Sequence, residues 1–213
     1  MPDLDFRIAG AEVLEFAAAP TLLFKLAVAN RTGEPVRAIL LHVQVRIEPV
    51  LRDYAPAERE RLLELFGDSA RWGTTLHSLL WTQATVQVRP FQGETVVDLP
   101  LSCTYDFEVV SAKYFHALDD GAVPLVFLFS GTVFYLAEAG LQVVQIPWDR
   151  EAAFRLPIGL WRQAMEHYFP NSAWLRLERE AFDRLYRYRA RRALPSWEAT
   201  LDELLRAAGE GRS

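Results

Sequence analysis

From Leu22 to Val28 the chain alternates. Leu22, Phe24, Leu26 and Val28 share one face and Leu23, Lys25 and Ala27 the other, the two-residue period of a half-buried strand. After the turn formers Asn30 to Pro35, Ile39, Leu41, Val43, Val45 and Ile47 alternate with Leu40, His42, Gln44, Arg46 and Glu48, predicting an antiparallel strand with one wet face. Phe6 to Phe16 predicts a weaker strand before these, and Ala84 to Arg89 another after them. The longest alternation sets Val97, Leu99, Leu101, Cys103, Tyr105, Phe107 and Val109 against Asp98, Pro100, Ser102, Thr104, Asp106 and Glu108. Pro100, which cannot donate to a ladder, puts that strand at an edge or a bulge. Val123 to Leu136 is apolar on both faces and predicts a central strand covered on both sides. Glu138-Ala139-Gly140 closes a hairpin into Leu141 to Trp148, and Ala152 to Leu156 adds a last strand.

Elsewhere the period lengthens. Leu62, Leu63, Leu65 and Phe66 cluster on a helical face between Pro56, suited to a first helical position, and Gly67, suited to a C-terminal cap. Arg71 to Thr82, with Trp72, Leu76, Leu79, Leu80 and Trp81, is expected to pack over one end of the sandwich. Ser111 to Leu118 reads as one or two helical turns before a turn at Asp119-Asp120-Gly121. After Pro157, Leu160, Trp161, Ala164, Met165 and Tyr168 form an amphipathic stripe. A second helix is predicted from Glu178 to Arg192, with Phe182, Leu185, Tyr186 and Arg189 on one stripe, and a third, capped by Ser196, through Leu205. The fold class is therefore α+β, mainly β. Residues 1–156 are expected to form an antiparallel β-sandwich with a short inserted helix near 56–66, and residues 157–213 a C-terminal helical extension packed on it.

Composition narrows the function classes. A net charge of −5 argues against a general nucleic-acid binder. A single cysteine removes the disulfide logic of secreted domains, and the N-terminus shows no basic stretch followed by an apolar core. The apolar run Ala122 to Ala137 is too short for a membrane helix and is interrupted by Pro124, Ser130 and Gly131, so a cytoplasmic protein without membrane insertion is expected.

Candidate chemistry is sparse. His42, His77, His116 and His167 are not spaced as metal ligands on one element, so neither a metal nor a cofactor is expected. His116 stands beside Asp119 and Asp120, where a general base could serve a small-molecule or hydrolytic site. The plainer account of it is local hydrogen bonding. Cys103 lies on an apolar strand face, which opposes the thiolate a nucleophile needs. Asp98, Asp106 and Glu108 share one face and could pair for glycoside hydrolysis, but carboxylates on an outer strand face are usually only solvated. Trp148, Trp161, Trp174 and Trp197 lie at element ends and are expected to cement the helices to the sandwich.

The one concentrated charge is Arg176 to Arg192, with seven arginines against three acids. Its balance of +4 leaves −9 elsewhere. Arg184, Arg187 and Arg191 recur on one side of the predicted helix, away from Phe182 and Leu185, with Tyr188 interleaved. Arginine beside tyrosine suits a surface for a protein partner. The competing account is neutralisation of the acidic sandwich within the same chain.

Trp72-Gly73, Leu80-Trp81-Thr82, Cys103-Thr104-Tyr105-Asp106-Phe107-Glu108, Lys113-Tyr114-Phe115-His116-Ala117-Leu118, Phe129-Ser130-Gly131-Thr132, Phe169-Pro170-Asn171-Ser172-Ala173-Trp174 and Ala193-Leu194-Pro195-Ser196-Trp197 together carry a resemblance. Over nearly its whole length the chain resembles an uncharacterised bacterial family of unknown function, associated with gene clusters for nickel–iron hydrogenases. The resemblance implies a non-catalytic accessory or scaffold role beside such an enzyme. It supplies no catalytic residue.

Overall fold

The structure, a computed structural model, describes residues 1–213 except 105, 107–108, 139, 173–175 and 211–213. It divides into two units, residues 1–174 and residues 175–213.

In the first unit the described strands are β1 (Leu4–Val13), β2 (Thr21–Asn30), β3 (Val36–Ile47), β4 (Leu79–Val88), β5 (Glu94–Ser102), β6 (Ala122–Ala137), β7 (Gly140–Gln145) and β8 (Glu151–Pro157). One antiparallel sheet has the order β1-β2-β5. The other has the order β4-β3-β6-β7, with β8 paired along the first half of β6. Their inner faces form one core. Phe6 of the first sheet stacks on Phe129 of the second at 4.3 Å between ring centres, and Phe24 meets Phe127 edge-on at 5.2 Å. The fold is the expected mainly-β sandwich, and Pro100 sits on the edge strand β5 opposite Leu23.

Several elements depart from their expected extents. The alternation predicted to run from Val97 to Val109 stops as a strand at Ser102. Its pairing strand gives out there, because Thr21 opposite Ser102 is the first residue of β2. One further bond, from the Cys103 N–H to the Pro20 carbonyl at 2.7 Å, closes the ladder. Tyr105, Phe107 and Glu108 of that predicted strand lie outside the described residues, as does Ala139 of the predicted hairpin turn. Strand β4 begins at Leu79, five residues before the expected Ala84, which brings Trp81 against Phe24 and Phe115. Strand β6 is covered on both faces only at its start. Val123, Pro124 and Leu125 are buried, while Ser130 and Leu136 are exposed. Gly131 marks a pinch in β6, with a φ of +143°. A Cβ there would lie 2.0 Å from the Leu40 carbonyl oxygen of β3.

The inserted helix splits at the buried Leu62 into α1 (Pro56–Arg61) and α2 (Leu63–Phe66), capped by Gly67 at positive φ. The short α3 (Trp72–Thr75) follows. Helix α4 (Val110–Ala117) comes after β5, and α5 (Ile158–Tyr168) after β8. A buried ion pair ties the inserted segment to the α4–β6 turn. Arg52 reaches Glu58 at 2.6 Å and also donates to the carbonyl of Asp120, while the same Glu58 oxygen accepts the Asp119 N–H at 2.9 Å. The other Glu58 oxygen accepts the Ala55 N–H, so the buried carboxylate is satisfied on both oxygens.

Helix α5 buries Ile158, Trp161, Ala164 and Met165, and Trp161 stacks on Phe115 at 5.4 Å. This helix packs on the sandwich, as expected of the start of the C-terminal extension, and belongs to the first unit. Trp161 thus anchors a helix to the sandwich as expected. Trp148 does not, being 92% exposed. Trp174 lies outside the described residues.

The second unit holds α6 (Arg179–Arg192) and α7 (Trp197–Ala207). Helix α6 ends where Ala193 takes a left-handed conformation and Arg189 donates to the carbonyls of Leu194 and Pro195. Helix α7 starts at the expected cap, with the Ser196 hydroxyl accepting the Ala199 N–H at 3.1 Å. Trp197 lies against Phe182 and Tyr186 with the Arg189 guanidinium over its ring. Among the described residues of this unit only Thr200 is buried.

Candidate functional site

The helical spacing of α6 and its crossing with α7 create a groove of about 600 Å³. Ala181, Leu185 and Leu204 supply apolar lining; Arg184, Arg187, Tyr188 and Arg191 supply the rest. All four residues singled out in the sequence as a partner surface therefore line one concavity. Leu185 was expected on the opposite side from the arginines. It lines the same groove, because a residue one position beyond Arg184 turns only about 100° around a helix.

The groove has a built wall. The Tyr188 hydroxyl donates to Glu203 at 3.1 Å, and Arg192 pairs with that same carboxylate at 3.3 Å while lying over the Tyr188 ring. Arg189 is engaged with loop carbonyls and with Trp197. Arg187 donates through Nε to the Asp183 carbonyl. Among the described residues, Arg184, Arg187 and Arg191 form no ion pair. Thus α6 divides its arginines into those that hold the hairpin together and those that face the groove.

The second candidate region is a cavity of about 650 Å³ in the first unit, with Arg61, His116, Asp119, Trp161, Arg162 and Glu166 in its lining. The structure brings His116 and Asp119 together here. Asp120 is not part of the lining, and its carbonyl instead accepts from Arg52. Both arginines work on the C-terminal end of α4. Arg61 donates to the Ala117 carbonyl and pairs with the Asp119 carboxylate, and Arg162 donates to the carbonyls of Leu118 and Asp119. These groups answer the orphan carbonyls that a helix end leaves. Desolvation, with the two guanidiniums nearby, holds His116 below the ordinary histidine pKa. No serine, threonine or cysteine lines this cavity among the described residues; its carboxylates are those of Asp119 and Glu166.

The remaining sequence candidates separate. Cys103 is buried and its thiol is pushed up to about 12 by desolvation, the opposite of an activated nucleophile. His42 projects from the outer face of β3 and pairs with Thr85 at 3.0 Å. Asp98 pairs with Lys25 on the outer face of its sheet, Asp106 lies past the end of that strand, and Glu108 is outside the described residues. No cluster of three histidine, cysteine or acidic residues suited to a metal ion occurs among the described residues. No described helix is long and apolar enough to cross a membrane. The latch of Arg52 and Glu58, with the Tyr54–Tyr114 hydroxyl pair at 2.7 Å beside it, went unread in the sequence. Nothing in the sequence set Glu58 apart, since it stands in a run with Arg59, Glu60 and Arg61.

Comparison with known proteins gives little beyond this. The CARDB domain of the PF1109 protein from Pyrococcus furiosus, crystallised in complex with di-metal ions, is 16% identical. That match covers 73% of this chain and 92% of the other, with a TM-score of 0.30. A β-glucosidase from Kluyveromyces marxianus is 8% identical over 72% of this chain and 15% of its own, with a TM-score of 0.27. β-Glucosidase 3B from Thermotoga neapolitana, in complex with α-D-glucose, is 12% identical over 72% and 17%, with a TM-score of 0.23. No curated protein matches the sequence. The model of a family of unknown function, DUF6084, matches residues 1–213.

Proposed function

The chain belongs to DUF6084, a family of unknown function, along its whole length, and from that premise we propose that it is a non-catalytic adaptor that grips a protein partner through its C-terminal hairpin. The observation that carries this reading is the groove itself, where Arg184, Arg187, Arg191 and Tyr188 converge over an apolar lining on a hairpin that buries a single described residue. A helical pair with so little interior gains most of its stability by packing on something else. Guanidinium and phenol groups are also the side chains that dominate binding hot spots. The sequence resemblance supplies a candidate partner, a nickel–iron hydrogenase, and the cytoplasmic setting is the one expected from the cysteine content and the N-terminal sequence.

The test is capture from the native host. The intact protein and its Arg184→Glu, Arg187→Glu, Arg191→Glu variant are used as baits, and a retained protein is then purified and assayed alone against both. The adaptor reading expects a partner that binds the intact chain directly and not the variant. Equal binding by both, or no direct partner for either, overturns it.

A further inference from the structure

We propose that the hairpin groove takes an acidic, amphipathic protein segment, one apolar side chain flanked by paired carboxylates, laid along α6. This rests on the adaptor reading above and specifies the partner's chemistry. The lining has two parts with different demands. Ala181, Leu185 and Leu204 offer hydrocarbon, which gains from covering by another hydrocarbon and gains nothing from a phosphate. Arg184, Arg187 and Arg191 offer three exposed guanidiniums that form no ion pair among the described residues. A guanidinium presents a planar fork that a carboxylate meets with two hydrogen bonds.

The spacing adds direction. Positions 184, 187 and 191 are close to one helical turn apart along the axis, in steps of about 4.5 and 6 Å. Carboxylates three or four residues apart on a partner helix have the same repeat and can meet successive arginines, with the intervening apolar residue over Leu185 and Leu204. A volume of about 600 Å³ suits a few side chains and not a folded domain surface. Tyr188, held in place by Glu203, sets one wall, so the groove is shaped before the partner arrives.

Charge separates this occupant from a nucleic acid. Both are anionic, but the chain carries −9 outside residues 176–192, a net charge that opposes a polyanion extending beyond the groove. A short acidic segment meets only the local +4.

The experiment is fluorescence anisotropy on the full chain with a designed probe. It is an alanine- and glutamine-based peptide of about 20 residues, long enough for helix, carrying glutamate pairs on both sides of one leucine. Three comparison probes replace the leucine by serine, replace the glutamates by glutamine, or substitute a single-stranded DNA oligonucleotide of equal charge. The proposal expects the glutamate–leucine peptide to bind, and to lose about tenfold or more on either change. It expects the same loss on the chain bearing Arg184→Gln, Arg187→Gln and Arg191→Gln, with affinity falling as salt rises. A second variant, Leu204→Ala, should weaken the leucine peptide and leave the serine peptide unchanged. Equal or tighter binding of the oligonucleotide, no peptide binding, or binding indifferent to the arginines overturns the proposal. A marked fall in melting temperature of the glutamine variant also overturns it, because the arginines would then serve their own chain. If a captured partner depends on the arginines while the peptide does not bind, the acidic-segment proposal fails and the adaptor reading stands. If no partner depends on them, the adaptor reading fails first.

Discussion

At the scale of single residues, the first unit behaves as a tightly packed scaffold. Cys103 is buried with its thiol pushed up to about 12, so thiol reagents should label the folded chain far more slowly than the denatured chain. Replacing it by serine should cost roughly 1–3 kcal/mol, because a hydroxyl enters the core without an assured partner. Gly131→Ala should cost roughly 2–4 kcal/mol, since a Cβ meets the Leu40 carbonyl and the backbone holds a φ that other residues rarely take. Urea melts of both variants check these values. Arg52→Met should destabilise by about 3–5 kcal/mol, because Glu58 is left as an uncompensated buried charge. The double variant with Glu58→Gln should recover part of the loss, and a double-mutant cycle measures it. His116 titrates below its ordinary value when folded, so the unfolded chain takes up its proton first. Its contribution to stability is therefore present above about pH 6.5 and declines as pH falls below that value. Its side chain is exposed, so the effect is small, and NMR titration of its ring protons reads the shift directly.

At the scale of elements, what the sequence revealed depended on whether the cause was local. Strand β3 was legible because each inward residue from Ile39 to Ile47 is apolar and each neighbour mostly polar. The caps at Gly67 and Ser196 were legible because left-handed φ and a side-chain acceptor are properties of those residues alone. The end of β5 was not legible. Alternation continues past Ser102, but the chain that would pair with it turns away at Pro20, a fact held more than eighty residues earlier. Helix α5 was legible as an amphipathic stripe that packs on the sandwich, because the apolar positions that bury it lie within the helix itself. A chain ending at residue 157 should therefore aggregate. It loses Ile158, Trp161 and Met165 from the core, each worth roughly 1.5–3 kcal/mol of burial. A soluble, cooperatively melting truncation would contradict the role given to α5.

At the scale of the whole molecule, the two units differ in how they are held. The first has an extended core under both sheets, with every strand of the three-stranded sheet contributing to it. The second is held by a few ring contacts, one buried threonine and arginine bridges. The groove residues were legible because charge of one sign with interleaved tyrosine stands out against an acidic chain. Their convergence with Leu204 of the next helix was not, since a helix crossing is a tertiary fact. The central claim is that this weakly packed hairpin is completed by a partner, and amide hydrogen exchange of the intact chain, free and bound to the captured protein, tests it most directly. The account predicts that residues 179–207 exchange much faster than β2, β3 and β6 in the free chain. Binding should then slow exchange in that segment above all others. Strong protection of the hairpin in the free chain, or slowing confined to the sandwich on binding, would contradict it.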